Sequence, residues 1–318
     1  MTGDAADADT DGTGPGTSVA DAPADLTRAD PSPDDAPTVA APELPLGAHV
    51  ELPGRGTTFA RTVPGPHDAP TVLLLHGWTA SCDLNFFTCY EPLGQHYRVV
   101  ALDHRGHGRG IRSRKVFRLE DCADDAVALL DELGIERAIP VGYSMGGTIA
   151  QLMWRRHPER VAGLVLAATS GYFRTSRQER LGFFGLSGLA ALARLTPLQA
   201  RSWLTDQFYL RGKRATWEPW AVQEASLHDW RTVLEAGRAI GSYDARGWLG
   251  EVDVPVSVVI TMSDHVVPTR RQIRLFEAIP GAEAFRVDGD HDAVVARAER
   301  FVPTLQRAIH SVVERLDA

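Results

Sequence analysis

The stretch AIPVGYSMGGTIAQLMWRRHP, Ala138 to Pro158, decides the fold. It opens as a short apolar run, Ala138 to Gly142, and passes through the pattern G-x-S-x-G formed by Gly142, Tyr143, Ser144, Met145 and Gly146. Helix-forming residues follow until Pro158, which cannot continue a helix. A serine where a strand turns sharply into a helix takes strained dihedrals, and the turn leaves room only for small neighbours two residues to either side. Gly142 and Gly146 supply that room, and Gly147 allows close packing of the helix. The helix N-terminus then lies beside the Ser144 hydroxyl, where it favours developing negative charge. Pro140 disagrees with this pattern, because a proline removes a ladder hydrogen bond from a central strand, and it predicts a local distortion.

Similar runs flank this stretch. Thr71 to Leu75, Tyr97 to Leu102, Ala162 to Ala167, Val254 to Thr261 and Ala284 to Val287 are continuously rather than alternately apolar, the pattern of parallel strands buried on both faces. Ala48 to Leu52 and Thr57 to Val63, separated by Pro53 and Gly54, read as an antiparallel hairpin at a sheet edge. Between the runs lie helical stretches, clearest at Leu119 to Leu133, where apolar residues fall near a 3.6 period and Gly134 supplies a stop. The alternation predicts an α/β fold, a mostly parallel, doubly wound sheet that binds ligands at the carboxyl ends of its strands. From Gly171 to Gly250 the rhythm breaks, and this quarter of the chain holds 12 of the 24 aromatic residues. It reads as a helical cap inserted after the sixth strand position, which leaves residues 45–170 and 251–318 as the core.

With 44% hydrophobic and 23% charged residues the chain matches a folded globular protein, which excludes collagen-like and fully disordered classes. Its net charge of −8 is concentrated in residues 1–44, where ten acids face a single base, Arg28. That acidic stretch carries no aromatic residue and reads as a disordered tail. Residues 45–318 keep 31 acids and 32 bases, with no field to attract nucleic acid. The first thirty residues lack both the basic start and the apolar run of an export signal, so a cytoplasmic location is expected. The longest uncharged apolar stretch, Leu181 to Ala193, is too short for a membrane span, and no integral membrane association is expected. Three cysteines, Cys82, Cys89 and Cys122, read as free thiols in a reducing compartment, with a Cys82 to Cys89 bridge as the alternative.

Four stretches together resemble the α/β-hydrolase superfamily, in its serine-nucleophile, esterase- and lactonase-like branch with a helical cap. They are Leu75-His76-Gly77-Trp78, then Asp103-His104-Arg105-Gly106-His107-Gly108, the serine turn itself, and Ser263-Asp264-His265-Val266-Val267-Pro268 followed by Gly289-Asp290-His291. The resemblance implies a catalytic triad of Ser144, Asp264 and His291, in the chain order this fold uses, with the backbone N–H groups of Trp78 and Met145 as an oxyanion hole. His265 is an alternative base and Asp103 an alternative acid, while His76 is a loop-forming residue and Asp83, Cys82 and Cys89 are bystanders. Three acids near the histidine, Asp288, Asp290 and Asp292, depart from the usual pattern and predict an imidazole biased toward its charged form.

Phe86 and Phe87, with Tyr143, Phe183 and Phe184, are the candidate lining of an apolar pocket for a small-molecule substrate. No metal-ligand spacing and no phosphate-cradling glycine loop appears, so no cofactor is implied; oligomeric state is not legible. The leading expectation is a serine hydrolase that cleaves a carboxylic ester through an acyl-enzyme on Ser144. An enol-lactonase or C–C bond hydrolase on the same triad, and a ligand-binding protein without turnover, are the alternatives. Serine in place of aspartate at the nucleophile position argues against the epoxide hydrolase branch, which needs a carboxylate there.

Overall fold

Successive side chains of a strand point to opposite faces, and in this protein both faces are covered. In β3 (Thr71–Leu75) Leu73 and Leu75 join one apolar core while Val72 and Leu74 join the other. In β4 (Arg98–Leu102) Val100 and Leu102 separate from Val99 and Ala101 in the same way. The structure, a computed structural model, describes residues 42–173 and 219–316. Expectations for residues 1–41, for Leu181 to Ala193 and for Phe183 and Phe184 therefore lie outside the described residues.

Eight strands form one sheet in the order β1-β2-β4-β3-β5-β6-β7-β8. The hairpin of β1 (Gly47–Leu52) and β2 (Gly56–Val63) is antiparallel and sits at the edge, and β2 also pairs antiparallel with β4. The remaining pairs, through β5 (Ile139–Tyr143), β6 (Leu164–Ala167), β7 (Val256–Thr261) and β8 (Glu283–Val287), are all parallel. Pro140 sits within β5 in regular register opposite Leu73. The neighbouring Ala138 bonds through both its N–H and its carbonyl to residues 160 and 162, and with a period of two Pro140 faces the same side. There β6 has not begun, since its first residue is Leu164, so the missing N–H falls beside an irregular stretch.

Helices α1 (Cys82–Phe86), α2 (Tyr90–Gly94), α3 (Leu119–Glu132) and α4 (Met145–Arg156) connect the first strands. Later come α5 (Pro219–Ser226), α6 (Trp230–Ser242), α7 (Thr269–Ala278), α8 (Ala293–Ala296) and α9 (Ala298–Glu314). Leu129, Ile149, Ile240 and Leu275 bring α3, α4, α6 and α7 to one core, and Phe86, Leu93, Phe301 and Ile309 bring α1, α2 and α9 to the other. Among the described residues no helix is long and apolar enough to cross a membrane.

The chain runs from β3 outward to β4, then returns past β3 to β5. Adjacent strands whose connections leave in opposite directions open a crevice at their carboxyl ends. Leu75 and Gly142, at those ends, are register partners, so the loops after β3 and β5 depart side by side. The stretch that follows β6 leaves and returns at one place: Ala245 N–H donates to Gly171 O at 2.7 Å, and Tyr172 forms an antiparallel bridge with Asp244.

Candidate active site

Ser144 stands at the turn from β5 into α4 with φ 54° and ψ −114°, outside the usual regions for an L-residue. Such a conformation costs about 1–3 kcal/mol and persists only where its surroundings fix it. Here Ser144 N–H donates to Ala167 O at 2.9 Å, and Ser144 O accepts from the Thr169 hydroxyl at 2.7 Å. The flanking glycines are explained by close backbone approach. A Cβ on Gly142 would lie 2.3 Å from Gly146 O, and one on Gly146 only 1.8 Å from Leu75 O.

His291, in the loop after β8, lies 2.9 Å through Nε2 from Ser144 Oγ and 2.8 Å through Nδ1 from Asp264 Oδ2. An ionised carboxylate only accepts, so Nδ1 carries the proton and Nε2 is left to accept from the serine hydroxyl. The Asp264 side chain is fully buried in the loop after β7. Its Oδ1 accepts from the Val266 and Val267 N–H groups at 2.9 and 2.7 Å, and its Oδ2 from the Thr261 hydroxyl at 2.7 Å and Gln272 Nε2 at 3.0 Å. Gln272, on α7, also accepts from Thr261 N–H through Oε1, locking the end of β7 to the carboxylate. Sequence reasoning missed Gln272 and Thr261; a lone amide eight residues beyond Asp264 carries no motif.

The Gly77–Trp78 peptide lies against the serine, for a Cβ on Gly77 would meet Ser144 Cβ at 3.4 Å. Its carbonyl is held by His76 Nδ1 at 2.7 Å, and in a trans peptide the Trp78 N–H then points the opposite way. His76 Nε2 accepts from His104 N–H at 2.9 Å, so the ring is spent on two loops and serves as no second base. Burial pushes the His76 pKa down to about 3, which keeps it neutral. Asn85 of α1, also missed in the sequence, accepts from Gly77 N–H at 2.7 Å. Met145 opens α4, so its N–H has no acceptor within the helix.

Other expectations change. Tyr143 is no pocket residue: it is 3% exposed, and its hydroxyl donates to His291 O at 2.6 Å, bracing the histidine loop. Phe86 is likewise a core residue, 1% exposed within the apolar cluster that includes Phe301. Phe87, one position on, is half-buried and meets Trp220 of α5 edge to face at 5.4 Å. Two of the acids near His291, Asp290 and Asp288, have partners elsewhere. Asp290 accepts from the backbone N–H groups of His265 and His291 and from the His265 ring, which together hold its pKa down to about 2. Asp288 is exposed and lies 3.7 Å from Arg300. His265 is thus occupied by Asp290, and Asp103 accepts from the N–H groups of Cys82 and Arg109 in tying two loops together. All three cysteines are free and buried, and burial pushes the Cys89 thiol up to about 12.

Beneath the loops after β3 and β4 four histidine rings pack in sequence. His76 lies 4.4 Å from His104 and 5.4 Å from His107, and His107 lies 5.6 Å from His228. Burial pushes His107 and His228 down to about 3 and His104 well below the usual histidine range. Among the described residues, no group of three or more His, Cys, Asp and Glu side chains is arranged to hold a metal ion.

A mostly parallel sheet edged by a hairpin, with a strained serine turn at its switch point and histidine and aspartate supplied by later strand ends, defines the α/β-hydrolase class. The chain belongs to the alpha/beta hydrolase fold family, whose model matches residues 70–296. It is 28% identical over 242 residues to a putative carbamate hydrolase, RutD, of Agrobacterium fabrum, covering 74% of this chain and 90% of that protein. It is 37% identical over 121 residues to epoxide hydrolase B of Mycobacterium tuberculosis, spanning 37% of this chain and about a third of that protein, 34%. The enol-lactonase from Burkholderia xenovorans LB400 shares the fold with a TM-score of 0.67 at 22% identity, over 83% of this chain and all of that one, 100%.

Proposed function

We propose that this α/β-hydrolase is a serine hydrolase that cleaves a small, mostly apolar carboxylic ester through an acyl-enzyme. The observation that carries the proposal is the unbroken contact from Ser144 Oγ to His291 Nε2 and from His291 Nδ1 to Asp264 Oδ2. Ser144 Oγ attacks the ester carbonyl carbon as its proton passes to His291 Nε2, and the carbonyl becomes a tetrahedral oxyanion. The Trp78 and Met145 N–H groups face that oxygen, a contribution typically worth two to three orders of magnitude in rate per donor. His291 then protonates the departing alkoxide, and a water deprotonated by the same ring releases the acid. Asp264 holds the imidazole tautomer, and Gln272 and Thr261 hold Asp264. A serine forms no alkyl-enzyme by opening an epoxide as a carboxylate does, so the partial similarity to an epoxide hydrolase does not extend to that chemistry.

The described part of residues 171–250, which includes α5 and α6, belongs to a cap in this proposal, supported by the contact between Gly171 and Ala245 and by the reach of α6 to the loop after β3, where Trp78 Nε1 donates to Val233 O at 2.7 Å. The half-buried pair of Phe87 and Trp220 supports an apolar substrate, each buried methylene adding about 0.8 kcal/mol. The test is kcat/KM for p-nitrophenyl esters from acetate to dodecanoate, beside an enol-lactone and an aryl carbamate. A rise over the first few methylenes is expected. A maximum at acetate with steep decline rejects the apolar site, and faster turnover of the lactone or the carbamate than of every ester reassigns the substrate.

A further inference from the structure

Two polar contacts reach the loop after β3 from the far side of the chain. Trp78 Nε1 donates to Val233 O on α6, and one residue on, Thr79 O lies 3.2 Å from His228 Nε2. Thr79 has φ 60°, a left-handed conformation that threonine adopts only under constraint. His228, between α5 and α6, is 6% exposed, and its Nδ1 accepts from Gly108 N–H at 2.7 Å. Since Nδ1 is an acceptor, the ring proton is on Nε2 and is donated to Thr79 O. One neutral imidazole thus joins the loop after β3 to the loop after β4. Asp229, next in the chain, adds a donation from its N–H to Gly106 O at 2.8 Å.

We propose that His228 is a positioning residue for the oxyanion loop, holding Thr79 in its left-handed conformation so that the preceding Trp78 N–H stays aimed at Ser144. The assignment rests on the proposed role of that N–H. His76 fixes the Gly77 carbonyl on one side of Trp78 and His228 fixes the Thr79 carbonyl on the other, so the donor is restrained from both ends. A donor displaced by a fraction of an ångström loses much of its preference for the oxyanion over the ground-state carbonyl, and the loss appears in kcat.

Two variants separate the two bonds of the ring. His228→Asn retains an acceptor where Nδ1 stands but cannot reach Thr79, whereas His228→Gln retains a donor near Nε2 but gives up Gly108. Each is assayed for kcat and KM per active site, titrated with a fluorophosphonate at Ser144, and for affinity toward a trifluoromethyl ketone. Ser144 Oγ adds to that ketone's carbon and passes its proton to His291, leaving an oxyanion in the hemiketal. His228→Asn is expected to lower kcat about tenfold at nearly constant KM and to weaken the ketone in parallel, while His228→Gln recovers most of both. Equal kcat in the two variants, or a larger loss in His228→Gln, overturns the proposal and leaves the ring a packing element. Wild-type protein supplies an arm that needs no variant to fold: the His228 Nε2–H nuclear magnetic resonance signal should move when the hemiketal forms, and no movement overturns the proposal. If wild-type Ser144 is not titrated by the phosphonate at all, the hydrolase proposal fails and this one with it; titration with unaffected variants removes this one alone.

Discussion

Lowering the pH from 7 to 5 should unfold this protein through its buried histidines. His76, His107 and His228 have pKa values pushed down to about 3 by burial, and His104 is pushed down as well. His76, His107 and His228 are neutral in the folded chain at pH 5, whereas an unfolded histidine takes up a proton below about 6.5. Their folded values are depressed, so the stability they contribute is complete above 6.5 and is lost as pH falls. With folded values of about 3, His76, His107 and His228 each forfeit about 2 kcal/mol between pH 7 and 5, about 6 kcal/mol together if all remain neutral, and burial shifts His104 in the same direction. That is comparable with the whole stability of an ordinary domain, about 5–15 kcal/mol. Ordinary carboxylates titrate below this window, so the histidines dominate within it. Urea unfolding followed by circular dichroism at pH 7, 6 and 5 reads the effect. His104→Phe is the informative variant, because both ring nitrogens of His104 are buried without a hydrogen-bond partner among the described residues. It should cost little at pH 7 and make the pH dependence shallower than in wild type. A free energy of unfolding that stays level from pH 7 to 5 would refute the reasoning, as would a His104→Phe slope equal to wild type.

Gly146→Ala should prevent stable folding or cost more than about 3 kcal/mol, because the new Cβ meets a backbone carbonyl that cannot step aside. Gly250→Ala, where nothing lies within 4 Å, is the control, and soluble yield with urea midpoints compares them. Asp264→Asn should lower kcat by about four orders of magnitude by presenting an amide to His291 and reversing its tautomer. Asp103→Asn should instead lower the unfolding midpoint by about 1–3 kcal/mol of stability, with kcat per titrated site retained, since its carboxylate accepts from two backbone N–H groups. The reverse pattern in kcat would make Asp103 the acid.

The sheet was legible because burial on both faces leaves a mark that a single chain displays, uninterrupted apolar runs bounded by Gly, Pro or Asp, with the antiparallel hairpin of β1 and β2 set apart; the other edge strand, β8, read as such a run but is mostly exposed. Ser144 was legible because close backbone approach demands glycine at 142 and 146. Asp264 and His291 were legible through the resemblance to the α/β-hydrolase superfamily, and the structure brings them together with Ser144. Phe86 and Phe87 show where pattern fails. Neighbours on a helix point about 100° apart, so one enters the core while the other faces α5, and adjacency alone gave both the same role. Tyr143 was misread for a related reason, since its position beside the serine says nothing of where its hydroxyl goes. The acids around His291 were counted by sequence distance, whereas Asp290 spends its charge on His265 and on backbone N–H groups. Asn85, Gln272 and His228 carry no signal because each acts through one amide or ring outside any motif, the first two at eight residues from Gly77 and Asp264 and the third across a long separation. The contact from His228 to Thr79, for example, spans 149 residues.

The most direct test of the central claim is covalent labelling by a fluorophosphonate, read by intact mass and peptide mapping, on wild type and Ser144→Ala. Stoichiometric addition confined to the peptide carrying Ser144, slowed by orders of magnitude in His291→Ala and absent in Ser144→Ala, is the predicted result. Labelling that persists in Ser144→Ala, or a wild-type protein that reacts no faster than free serine, would contradict the account.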